Sequence, residues 1–159
     1  MVRILNRRIQ KKTIKHYILQ SILAGTVFFA GLNILPMIAE EVVLVAAVGS
    51  TAFIAFAKPS SKAAEPRRII GSHFICGLIG FALYSGYPGF FSFEIAVTLA
   101  LILSILVMVS FWIEHPPAAG TALFFVIEPQ IVALISLLLL VTIMALISYL
   151  FHSYLYDLA

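Results

Sequence analysis

Late in this 159-residue chain, the run Glu114-His115-Pro116-Pro117 interrupts sequence that is otherwise almost continuous hydrocarbon. An imidazole there can donate a hydrogen bond to an anion, or carry a proton near neutral pH. Glu114 beside it can accept a proton, or sit solvated at an interface. Proline is favoured at the first position of a helix, where its missing N–H is no loss. Pro116 or Pro117 can therefore start a short helix whose first-turn N–H groups and positive dipole end point at whatever occupies the break. Gly49, Ser50 and Thr51 offer a second break, with hydroxyls as further donors. Two such helix starts facing each other from opposite sides would cradle an anion with no buried Lys or Arg. The expected substrate-binding set is Gly49, Ser50, Thr51, His115, Pro116, Pro117, Gly120 and Thr121. Glu114 and His73 are expected in gating or proton-linked roles.

Each of these residues also has a plainer reading. His115 can cap a helix at the interface, and His73, one turn into an apolar block, can be a packing histidine. An intramembrane hydrolase using Ser50 or Thr51 would need the hydroxyl within hydrogen-bond reach of His73 or His115, and nothing in the sequence signals that pairing. No enzyme activity is expected. No metal or cofactor is expected either: there is no paired Cys/His spacing and no Gly-rich phosphate loop. The single cysteine, Cys76, cannot form an intramolecular disulfide and reads as a small buried thiol.

The elements that must position these groups are membrane helices. Hydrophobic residues make up 62% of the chain and charged residues 11%, with a mean hydropathy of +1.10; a water-soluble domain carries about 25% charged residues. The alternation of a membrane barrel is absent. Five long apolar blocks cover residues 17–38, 41–57, 69–87, 94–112 and 131–151. A sixth, 116–127, rises only about 18 Å against a hydrocarbon core of about 30 Å. Residues 1–16 are basic and partly apolar, without a cleavage site after the first block. They read as an uncleaved amphipathic lead-in on an anionic membrane surface. The transmembrane domain is 17–151, followed by a short tail, 152–159.

All ten Lys and Arg fall either before the first block or between the second and third. Two crossings separate these clusters, so they share a side, and the positive-inside rule makes it cytoplasmic. The expected localisation is a bacterial inner membrane with the N-terminus inside. Basic charge clustered in loops predicts no nucleic-acid partner. "YPGFF" (87–91) reads as a turn at the outer interface. Asn33 reads as bonding across helices or patching the backbone opened by Pro36. Ser72, Cys76 and Gly80, and likewise Ser21 and Gly25, are small residues four apart that let helices approach closely.

Shifting the chain against itself by seventy positions lays "STAFIAFAKP" (50–59) on "GTALFFVIEP" (120–129). Thr51 meets Thr121, Ala52 meets Ala122 and Pro59 meets Pro129. The same shift lays the first block on the fourth and the third on the last. The expected fold is therefore all-α, with about six membrane segments arranged as two inverted three-helix repeats, 17–87 and 88–151. Their second and fifth segments are short or broken, an architecture of transporters whose sites lie near the midplane.

With the residues laid out, the chain resembles the HPP family of small membrane proteins. The resemblance rests on "HPPAAGTAL" (115–123), the motif that names the family, and on "VGSTAFIAFAKPSSKAAEPRRIIGSH" (48–73). The second stretch carries a Gly-Ser segment, an apolar run to proline, a Pro-Arg pair and a Gly-x-His. The resemblance implies an integral membrane protein of about four spans, against the six segments counted above. It also implies a transporter, with nitrite transport associated with plastid and cyanobacterial relatives. The expectation is a transporter or channel for a small monovalent inorganic anion, nitrite first, and a homo-oligomer, most simply a dimer, in contact with membrane lipids. The alternative is a non-transporting assembly or regulatory subunit docking through residues 58–68.

Overall fold

The computed structural model describes residues 11–35, 38, 40–86, 89–90 and 92–158. Among these, the chain is helical throughout, with six α-helices: α1 (Lys11–Ile34), α2 (Val42–Ala57), α3 (Pro66–Gly86), α4 (Phe93–Ser110), α5 (Pro117–Ile127) and α6 (Ile131–Leu150). Single 3₁₀ turns follow α2 (Lys62–Ala64) and α6 (His152–Tyr154). Four helices are long and apolar enough to cross a membrane: Ile14–Ile34 within α1, then α3, α4 and α6. The two shorter apolar helices are α2 and α5. Four spans and six segments thus describe the same chain, counted with and without the short helices.

Local sequence sets the boundaries. Pro66 opens α3 and Pro117 opens α5, each where a missing N–H costs nothing. Pro59 and Pro129 follow two residues after the ends of α2 and α5. The end of α4 is closed by a Schellman pair: Ile113 N–H bonds Met108 O at 3.0 Å and Trp112 N–H bonds Val109 O at 3.3 Å. That motif needs a left-handed residue, normally glycine. Here it is Trp112, with φ of 56°, the single positive-φ residue among those described. A non-glycine residue there carries about 1–2 kcal/mol of strain.

Hydrogen bonds between elements define one end of the bundle. Arg67 Nη2 donates to Trp112 O at 3.0 Å, His115 Nδ1 lies 2.7 Å from Ala63 O, and Ser148 Oγ donates to Ala55 O at 2.5 Å. This end holds the starts of α1, α3 and α5 and the ends of α2, α4 and α6. It also carries Lys15, Lys58, Lys62, Arg67 and Arg68, every basic residue among those described outside the first turn of α1. At the opposite end Glu41 is raised above its usual carboxylate value, by desolvation and then by the charges of Glu128 and Glu40.

α5 is the central post of the bundle. Its Phe124 and Phe125 join one apolar cluster with α2 and α6, while Ala118, Ala122 and Val126 join another with α3 and α4. A Cβ built on Gly80 of α3 would lie 2.5 Å from the Ala122 carbonyl oxygen and 2.6 Å from Phe125 Cβ. The α3 and α5 backbones therefore touch there, which is what small residues permit in a membrane bundle. Cys76 and Ser72, one and two turns earlier, are buried as well. The matching pair in α1 behaves differently: Gly25 has nothing within 4 Å of a built Cβ, and with Ser21 it faces an open groove against α2. Large apolar side chains such as Phe29, Leu106 and Ile135 cover the outer surface.

One expectation changes, at α2. α2 is short, yet it runs unbroken through Gly49, Ser50 and Thr51, so no helix start forms there. Ser50 Oγ donates to Ala46 O at 2.8 Å, and Thr51 Oγ1 lies 3.0 Å from Ala47 O, so both side chains sit against their own helix. The lead-in is helical and continuous with α1 from Lys11 onward, and residues 1–10 lie outside the described residues. Asn33 Nδ2 bonds Phe29 O in its own helix at 2.8 Å, while Pro36 lies outside the described residues. Of the outer turn, Gly89 and Phe90 are described as turn and 87, 88 and 91 are not.

Candidate functional site

The four polar side chains at the bundle's centre come from three helices and one turn. Thr51 projects from α2, His73 from α3 and Thr121 from α5, while His115 stands in the turn before α5; all four are fully buried. Thr51 Oγ1 lies 3.0 Å from His73 Nε2 and 3.0 Å from His115 Nε2. Thr121 Oγ1 lies 2.7 Å from His73 Nδ1, and the two imidazole rings are 5.3 Å apart between centroids.

The partners fix the protons. The Ala63 carbonyl can only accept, so His115 Nδ1 carries a hydrogen. In the neutral ring Nε2 is then bare, and Thr51 O–H must donate to it. Thr51 oxygen in turn accepts from His73 Nε2–H, leaving His73 Nδ1 bare to accept from Thr121 O–H. Only this assignment satisfies both neutral imidazoles. The result is one unidirectional chain, from Thr121 through His73, Thr51 and His115 to Ala63. Ala47 O, 3.0 Å from Thr51 Oγ1, is a spare acceptor in this state.

The other expected residues lie around this chain rather than in it. Ser50, Pro116 and Pro117 line a neighbouring open groove with Lys58, Ser61 and Ala63. Gly49 faces α1, where a Cβ would meet the Phe28 ring at 3.8 Å, and Gly120 packs on Ala47 of α2. The first N–H groups of α5 do not point free into a cavity. Ala118 N–H bonds His115 O at 3.0 Å and Ala119 N–H bonds Pro116 O at 3.1 Å, tight bonds that satisfy them locally. Glu114 pairs with Arg68, which is buried and also holds Glu65 at 3.0 Å. With Arg67 on the Trp112 carbonyl, the two arginines clamp the turn that presents His115.

Sequence reasoning missed the arginine clamp, Lys58 and Ser61. It also missed how the last four carbonyls of α2 are satisfied. They take Lys58 N–H, Ser148 Oγ, Gln20 Nε2 and Leu158 N–H in order from Ile54 to Ala57. Gln20 also binds both backbone groups of Tyr156, pinning the C-terminal tail. The available signal was that Gln20 and Ser148 are polar residues within apolar blocks. Among the described residues no cluster of three or more His, Cys, Asp or Glu side chains has the geometry to hold a metal.

An all-helical bundle with four span-length apolar helices and a sealed polar centre defines an integral membrane protein. The chain belongs to the HPP transmembrane family, whose description, "HPP, transmembrane region", matches residues 10–156. It is 34% identical over 104 residues to a transmembrane protein of Dictyostelium discoideum, covering 60% of this chain and 36% of that one. The matched region is thus about a third of that relative's length. No solved structure matches.

Proposed function

We propose that the protein moves a small monovalent inorganic anion across the membrane, nitrite being the leading candidate. The observation that carries this reading is the Thr51–His73–His115–Thr121 chain. Ionisable groups inside a membrane bundle are expensive and mark ion or proton pathways. Here two of them converge on one hydroxyl, supplied by the two short helices and the helix between them. The groove beside them is lined by a cation, Lys58, by two serines and by Ala63, whose carbonyl takes the His115 hydrogen bond. An anion attracted by the basic end would meet Lys58 first and the imidazole next. Positive loops belong on the cytoplasmic side, so that mouth faces the cytoplasm and the N-terminus is inside, in a bacterial inner membrane. The halves 17–87 and 88–151 act as inverted repeats, rocking against each other to expose the site alternately. The assembly is a homo-oligomer, a dimer first, which native mass spectrometry in detergent would count.

A second reading, a non-transporting assembly or regulatory subunit, draws support from the complete burial of the polar chain. A hydrolase is disfavoured. Thr51 does have a base within reach, but its hydroxyl is sealed, and Ser50 is turned outward onto its own helix. Neither reading requires a cofactor. Flux into proteoliposomes decides between transport and the alternatives, using nitrite, nitrate, formate and chloride. Nitrite uptake above that of protein-free vesicles is expected, and no uptake of any of the four overturns the proposal.

A further inference from the structure

Thr51 has one proton and three neighbours able to take it or face it: His115 Nε2, His73 Nε2 and Ala47 O, each at 3.0 Å. With both imidazoles neutral, Ala47 O is redundant. It becomes necessary if His115 gains a second proton. Nε2–H then points at Thr51, whose hydroxyl turns to donate to Ala47 O while its oxygen accepts from both imidazoles. Turning a single hydroxyl leaves every buried donor satisfied, so the site holds a ready arrangement for a charged His115.

The charge itself is not yet balanced. Arg67 and Arg68 of α3 face the turn but are occupied by Trp112 O and by Glu65 and Glu114. α2 presents Thr51, with Lys58 seven residues away and about 10 Å along the helix. α3 presents neutral His73, α5 presents Thr121, and α4 presents apolar side chains including Met108. Lys62 belongs to the 3₁₀ turn of Ala63. Among the described residues the neighbouring carboxylate, Glu114, is already paired with Arg68, so a buried imidazolium here lacks a free counter-charge, and a desolvated anion beyond Lys58 lacks one too. Each alone is costly, whereas paired they are neutral. The place for the anion is marked by Ala63, whose carbonyl oxygen lies 2.7 Å from His115 Nδ1 and which also lines the Lys58–Ser61 groove.

Resting on the transport reading above, we infer that His115 takes up one proton and one small oxyanion together. The proton goes to Nε2. The anion accepts from Nδ1–H in place of the Ala63 carbonyl, so each anion crosses with one proton and no net charge. On release the proton leaves Nε2 and the Thr51 hydroxyl returns to it, restoring the neutral chain.

The test uses the full chain in proteoliposomes loaded with a pH dye, with nitrite added at pH 7.5 and rates taken above protein-free vesicles. Coupled movement predicts lumenal acidification in step with uptake, and a final accumulation unchanged within about twofold by a 100 mV valinomycin potential. A bare anion would shift its accumulation about fiftyfold over that potential. Thr51→Ser should keep the coupling, while Thr51→Val and His115→Gln should lose the acidification by tenfold or more. Nitrite flux that follows the potential without acidification overturns this inference and leaves transport standing. Absence of flux overturns the transport reading instead. His115→Gln retaining both uptake and acidification removes the proton from His115. The wild-type potential measurement decides whether or not the variants fold.

Discussion

At the scale of single residues, the centre of the protein is a set of four side chains whose protons can be arranged in one neutral way. Thr51 holds that arrangement together, since it donates to one imidazole and accepts from the other. Thr121 only donates, to His73. Removing a buried partner leaves the other group unpaired, at about 1 kcal/mol for each within a membrane bundle. Thr121→Val should therefore lower unfolding free energy in mild detergent by about 1 kcal/mol, and Thr51→Val by about 2 kcal/mol. Equal losses from the two would contradict the place of Thr51 between both imidazoles. His115, Thr51, His73 and Thr121 could all be picked out of the sequence, because polar residues stand out in hydrocarbon. Their meeting could not. Thr51 and His115 are 64 positions apart, and that they share an oxygen depends on helix rotations which apolar neighbours specify only by packing.

At the scale of elements, the short helices were legible from proline positions and from length, and five of the six blocks agree with helices to within a few residues. The reading of residues 49–51 as a break failed for a local reason. Glycine and hydroxyl residues are breakers in water, but inside a membrane bundle their backbone has no solvent to turn to, and the Ser50 hydroxyl bonds back to the helix. The two stripes of small residues look alike in sequence and part company in the fold. Gly80 sits where two backbones touch, whereas Gly25 faces open space. Gly80→Ala should destabilise by about 1–3 kcal/mol through overpacking against Ala122 and Phe125. Gly25→Ala should stay within about 0.5 kcal/mol of the parent protein. Thermal unfolding followed by circular dichroism compares the pair directly, and an equal response would place the close crossing elsewhere.

For the whole molecule, the gathering of basic residues at one end turns a count of charges into a direction. The single cysteine, Cys76, is buried, so introduced cysteines report without background. Ser60→Cys, exposed at the basic end, should react with a membrane-impermeant maleimide in inverted vesicles and not in intact cells. Gly89→Cys, in the exposed turn between α3 and α4, should show the reverse. The opposite pattern would overturn the cytoplasmic placement of the N-terminus.

The brevity of α5 bears on how the protein comes to exist. Eleven residues rise about 16 Å, too little to hold a place in a bilayer alone. The helices it packs on are α3, α2 and α4, and all three are made before it. Thr121 can therefore reach His73 as soon as α5 itself has left the ribosome, without waiting for the last helix. A chain interrupted before residue 131 would still carry the four polar side chains and the helices that hold them together.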